Sequence, residues 1–203
     1  MFARCVTPAT SNIDPRVRRS RAKLLAAALD LLVESGAHSV TVDAVAERSG
    51  VAKSTLYRHW ASRTELLADV LETNAPTIPQ PPMDQGFATA FRALVTQLGQ
   101  ISADPAWTRV FPALLSLRRE LPEVDSVATA DTSQKLAVLA SVLNLGVAEG
   151  AVPDGVDVEL VALQLLGPFA FSTLVGSEVS QDALVDDLVQ RFLAGWAAPG
   201  YGS

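Results

Sequence analysis

The run Lys53-Ser54-Thr55-Leu56-Tyr57-Arg58-His59 places six hydrogen-bonding side chains within seven residues and no carboxylate among them in this 203-residue chain. On a helix advancing about 100° per residue, with Leu56 turned to a core, Ser54 and Arg58 lie about 160° away, fully outward. Thr55 and Tyr57 fall about 100° to either flank, and Lys53 and His59 about 60°, where long side chains reach round. The outward face is therefore Lys, Ser, Thr, Tyr, Arg and His, rich in donors and without a carboxylate. Phosphates and the edges of bases are recognised by this chemistry. The competing reading is a short polar face in solvent. Six outward positions without an acid in an acidic protein weigh against it.

Catalysis is poorly served. The histidines are His38, in a turn, and His59, in the basic run, and the single cysteine, Cys5, lies near the N-terminus with nothing local to position it. No Gly-rich phosphate loop, GxSxG or HExxH occurs. One cysteine excludes an internal disulfide framework, and two histidines with one cysteine argue against a Cys/His zinc site. We expect no enzyme activity, no metal and no cofactor.

Hydrophobic residues make up 49% of the chain and charged ones 19%, enough for a real core. The formal charge of −6 hides an asymmetry. Up to Arg63 there are ten basic and five acidic residues, a net +5; the remainder has six and seventeen, a net −11. A basic head on an acidic body docks on a polyanion in one orientation, or else the head is only a solvated basic surface.

The elements that position the polar run read almost entirely as helix. Asp14-Pro15 is an N-cap followed by proline at the first helical position, and Leu24, Leu25, Ala28, Leu29, Leu32 and Val33 form an apolar stripe. Gly36 is placed to end that helix in a left-handed conformation. Thr41 caps a short helix to Arg48, Ser49-Gly50-Val51 breaks the chain, and a second short helix runs from about Ala52 to His59. Ser62 and Glu65 have capping-box spacing and start a helix to about Thr73. The spacing around Gly50 has the proportions of a helix-turn-helix. Residues 76–82 hold four of the twelve prolines and form a linker. Further helices are expected over 84–102, from Asp104-Pro105 to before Pro122, and over 131–149, 157–175 and 181–197.

This gives an all-α chain: an arm over 1–15, a head over 16–75, a linker over 76–83, a helical body over 84–197 and a tail over 198–203. Leu160 to Ser177 carries no charge, but Gln164, Gly167-Pro168 and the acidic flanks argue for a deeply buried helix in a soluble, cytoplasmic protein rather than a membrane span. A helix apolar nearly all round needs cover on every side. Either a second copy of the chain provides it, with Leu184, Leu188 and Phe192 of the last helix in the interface, or it is an internal core helix. Phe87, Phe91, Trp107, Phe111 and Phe169, with Asn144 and Gln164, are candidates to line an apolar pocket between helices, or to be ordinary core.

Residues 16–71, above all the run LLAAALDLLVESGAHSVTVDAVAERSGVAKSTLYRHWASRTELL, resemble the DNA-binding domain of the TetR (tetracycline repressor) family of bacterial regulators. Residues 135–196 more loosely resemble the C-terminal domain of one branch of it. The resemblance implies base contacts from Lys53, Ser54 and Thr55 and phosphate contacts from Tyr57, His59 and Arg63. Arg58, outward on the same helix, joins that phosphate set, and so does Thr41, which matches the cap of the first helix-turn-helix helix. In this family, arms such as that bearing Arg16, Arg18, Arg19 and Arg21 touch phosphates or the minor groove, or are disordered. Ser54 stands where glycine is common, and Ala52 replaces a capping serine. The resemblance further implies a homodimer on a palindromic double-stranded operator and an unidentified small-molecule effector that relieves repression. The rival is a helical ligand-binding or dimerisation protein that does not bind DNA.

Overall fold

The computed structural model describes residues 14–197; the remaining arm, with Cys5, and the tail lie outside the described residues. All regular structure there is helical: α1 (Pro15–Ser35), α2 (Val42–Ser49), α3 (Lys53–His59), α4 (Arg63–Asn74), α5 (Phe87–Ala103), α6 (Pro105–Glu120), α7 (Pro122–Ala148), α8 (Val158–Val175) and α9 (Gln181–Ala197), with short 3-10 turns at Ala37–Ser39 and Met83–Gln85. The chain divides into two compact units after Val70, inside α4, rather than in the proline-rich segment.

In the first unit, α1 begins as its sequence dictates. The Asp14 carboxylate accepts from the Arg16 N–H at 2.8 Å, and Pro15 occupies the first turn. Its stripe buries Leu24, Leu25, Ala28, Leu31 and Leu32 with Val40, Val45, Leu56, Leu66 and Leu67 of the following elements. Gly36 ends α1 at φ 80°, but with ψ 174° its backbone is extended, not the left-handed helical conformation expected. Such a φ still favours glycine.

In the second unit, α5 packs against each of α6, α7, α8 and α9. Phe87, Phe91, Phe192 and Trp196 form a ring cluster between α5 and α9, with centroids 5.1–5.8 Å apart. Gly146 of α7 lies so close to Phe87 and Val152 that no Cβ fits. The N-terminus of α5 has no side-chain cap of its own; Glu149, just beyond α7, accepts from the Phe87 N–H at 3.1 Å.

Three expectations are corrected. First, α7 starts at Pro122, not residue 131. Pro122 sits at the first helical position and Glu123 and Asp125 favour the N-terminal dipole, while residues 122–133 lack the large apolar stripe by which a helix is read. Second, α8 is not deeply buried in one chain. It inserts only Val161, Ala162, Leu165, Phe169 and Ser172, and exposes Leu160, Leu163, Leu166, Phe171, Leu174 and Val175. By length and composition it is the one described helix able to cross a bilayer. Third, Leu188 is buried, and Leu184 and Phe192 pack on the same core. These residues of α9 face α5, and its outward side carries exposed Asp182, Asp186, Asp187 and Arg191.

Candidate nucleic-acid interface

The α2–turn–α3 unit is fixed by local chemistry. The Thr41 hydroxyl accepts from the Ala44 N–H at 3.1 Å and caps α2. Gly50 ends α2 at φ 66°, ψ 19°, a left-handed conformation that glycine adopts without strain, and the Ser49 hydroxyl accepts from the Val51 N–H at 3.2 Å to tighten the break. Ala52 precedes α3 without a side-chain cap. Leu56 is fully buried and anchors α3. Lys53, Ser54, Tyr57 and Arg58 are exposed, with Thr55 and His59 half-buried on the flanks, so the rotation derived from the sequence holds for this helix.

The face is not free of acid, however. Asp43, in the first turn of α2, forms an ion pair with Lys53, both side chains being exposed. The hydrogen bond to that carboxylate, then its charge, raises the Lys53 pKa above the ordinary lysine value. Sequence periodicity along α3 alone could not see a residue delivered by the neighbouring helix. His59 is displaced the other way. Burial first, then the charges of Arg21 and Arg58, lower its pKa below the usual 6.5 and favour the neutral imidazole.

Arg63 is placed differently from a free phosphate-gripping cation. Its Nε donates to the Val40 carbonyl at 2.7 Å, and its Nη2 donates to the Ala37 carbonyl. In this state it ties the start of α4 to the segment joining α1 and α2. Asp69 was not singled out by sequence, and Trp60 only as a residue standing where the family it resembles has phenylalanine. The Trp60 indole N–H donates to Asp69 at 2.7 Å, Arg21 pairs with the same carboxylate oxygen at 2.5 Å, and the Arg21 guanidinium lies 5.8 Å from the indole centroid. Arg16, Arg18, Arg19 and Arg21 are exposed, yet they sit on the first turns of α1 rather than on an extended arm, because Asp14 and Pro15 start the helix ahead of them. At about 100° per residue they point in several directions and cannot enter one groove together.

These elements match known proteins. The family model of bacterial regulatory proteins of the tetR family matches residues 24–70, and that of the tetracyclin repressor-like C-terminal domain matches residues 82–192. The chain belongs to the TetR family. It is thus a helix-turn-helix regulatory protein, and α1–α4 provide the family's DNA-binding head. Among its relatives, the HTH-type transcriptional regulator YdeS of Bacillus subtilis is 26% identical over 183 residues, covering 89% of this chain and 91% of that one. The HTH-type transcriptional repressor KstR2 of Mycolicibacterium smegmatis is 24% identical over 161 residues, 73% of this chain and 74% of that one. The crystal structure of the transcriptional regulator FadR of Bacillus subtilis, in complex with stearoyl-CoA, shares the fold. Its TM-score is 0.65 at 18% identity, over 86% of this chain and 98% of that one.

In the C-terminal domain of this TetR-family chain, the residues suggested as a pocket lining are not brought together. Phe87, Phe91 and Phe169 are fully buried in the core, because α5 is surrounded by other helices and α8 turns Phe169 inward. Asn144 and Gln164 are exposed, on the outer sides of α7 and α8. Trp107 and Phe111 are half-buried on α6, with centroids 5.6 Å apart and the Lys135 ammonium 5.8 Å from the indole. Gln97 of α5, absent from the sequence-based set, has a buried Oε1 without a hydrogen-bond partner.

Proposed function

We propose that the protein is a cytoplasmic homodimeric repressor that binds a palindromic operator, is released by a small, largely apolar effector, and is not an enzyme. The observation that carries the DNA-binding part is the orientation of α3: Leu56 is buried while Lys53, Ser54, Tyr57 and Arg58 remain exposed on one helix. In this reading Lys53, Ser54 and Thr55 reach base edges. Tyr57, Arg58 and His59 meet phosphate, as does the start of α2 at Thr41; Arg63 contributes chiefly by holding α4 in place. Helix-turn-helix dimers read half-sites about one helical turn or a multiple apart.

The dimer reading rests on α8. Leu160, Leu163, Gly167, Ala170, Phe171 and Leu174 share its outward arc, all exposed. A soluble chain rarely leaves so continuous an apolar face uncovered. Two copies of α8 crossing near Gly167, where the space around the backbone is open, would cover it.

The effector reading follows the family and the FadR–stearoyl-CoA complex. We place the ligand beside the half-buried Trp107 and Phe111; Gln97, whose buried Oε1 has no partner, is a separate candidate for a polar contact, since a buried acceptor left unpaired costs about 1–3 kcal/mol that a ligand donor would recover. Helix α4 starts in the head and its last residues belong to the second unit, so it is the covalent route for the signal.

The test is fluorescence anisotropy on a duplex selected by the protein from a random pool, from low to physiological salt. Several phosphate contacts predict a steep fall in affinity. A flat response refutes the interface. Stearoyl-CoA is the first effector to titrate, and linkage requires operator and effector to weaken each other equally.

A further inference from the structure

The DNA-binding reading leaves the ion pair between Asp43 and Lys53 without a role. A carboxylate on a surface meant for DNA is costly, because phosphates repel it wherever no base donates to it. Asp43 is not needed to cap α2, since Thr41 accepts from the Ala44 N–H. Asp43 adds a first-turn negative charge to α2, but that needs no lysine partner, and the pair itself does little for the fold, being exposed on both sides. What it does is set an ammonium donor and a carboxylate acceptor side by side, one from each helix of the motif.

In the major groove, a G·C pair presents the complement. Guanine N7 and O6 accept, and the neighbouring cytosine N4 donates. An A·T pair offers a donor flanked by single acceptors, so it cannot give the ammonium two adjacent acceptors while also donating to the carboxylate. We propose that Asp43 and Lys53 act as one reading unit for a G·C pair in each half-site, with Lys53 on guanine and Asp43 on cytosine. Asp43 is then a specificity-determining residue. It restrains Lys53 from reaching for phosphate on unrelated sequence and repels any duplex that lacks the cytosine donor. This rests on the proposed docking of α3 in the major groove.

The test is selection from a randomised duplex pool by the full-length wild type, Asp43→Asn, Asp43→Glu and Lys53→Met, with sequencing of the bound fraction. Anisotropy on the wild-type consensus and on a scrambled duplex, and thermal melting by circular dichroism, accompany it. The wild-type consensus should contain a G·C pair in each half-site whose preference, about ten- to hundredfold, collapses in Asp43→Asn and Lys53→Met alike while the other positions persist. Asp43→Glu should keep part of it. Asp43→Asn should bind the scrambled duplex several-fold more tightly than wild type and melt at nearly the same temperature. Unchanged base preference in Asp43→Asn overturns the proposal, as does loss of all enrichment together with a lowered melting temperature, which would make Asp43 a folding residue. A wild type that enriches nothing is a different failure, that of the DNA-binding reading itself.

Discussion

A glutamate at Phe171 separates an interface from a core. Phe171 is 64% exposed in the single chain, so Phe171→Glu should change the stability of an isolated subunit by no more than about 0.5 kcal/mol. In a dimer built on α8 the same side chain is covered. Full burial of a phenylalanine contributes about 1.5–3 kcal/mol, and with two-thirds of it still in water, roughly 1–2 kcal/mol remains to be gained on association. Twofold symmetry counts it twice, about 2–4 kcal/mol per dimer, before the added cost of two desolvated carboxylates. At about 1.4 kcal/mol per tenfold, dimerisation should weaken by at least thirty- to a thousandfold. Leu188→Glu is the contrast. Leu188 is 7% exposed within the core, and a charge there should unfold the body rather than yield folded monomers. Sedimentation equilibrium of the full chain gives the association constant, circular dichroism the fold, and operator anisotropy the consequence for DNA. A Phe171→Glu protein that remains as dimeric as the wild type refutes the assignment of α8.

Gly146→Ala forces a methyl group into Val152 and to within 2.8 Å of Phe87; overpacking of this kind should cost about 1–3 kcal/mol, read from denaturant midpoints, whereas Gly167→Ala, with open space around it, should leave the monomer unaffected. His59 should make operator binding pH-dependent. Its lowered pKa means that its share of the fold's stability is present above the unfolded value near 6.5 and is lost as pH falls through the folded value. A phosphate beside it favours the imidazolium, against Arg21 and Arg58 and with Asp69. Binding should therefore take up a proton and tighten as pH falls from 8 towards 6, a trend that His59→Gln abolishes; equal slopes in the two proteins would remove His59 from the interface.

Short-range chemistry was legible in the sequence. Asp14-Pro15, Thr41, Gly50 and the Ser62–Glu65 pair each act through neighbours within a few residues, and each marks a boundary in the fold. The outward set on α3 was legible for the same reason, one buried leucine fixing the rotation of seven residues. Long-range pairing was not. Asp43 meets Lys53 across the turn, Arg63 reaches back 23 and 26 residues to carbonyls, and Asp69 meets Arg21 across 48; no periodicity encodes these. Helices α8 and α9 were misjudged because a stripe shows which side is apolar but not what covers it. The aromatic side of α9 is claimed by α5, which leaves the outer side of α8 bare.

The Asp69 carboxylate binds residues of two other elements at once, Arg21 of α1 and Trp60 just past α3. With Arg63 fastened to Ala37 and Val40 at the other end of the same two turns, the first part of α4 is pinned to the head at both ends. A helix held this way cannot slide over its neighbours. A tilt of α4 would be felt at the end of the reading helix through Trp60 and Asp69. The head and the first part of α4 thus share their anchoring residues, Arg63 and Asp69, and a substitution at either would loosen α1, α3 and α4 together.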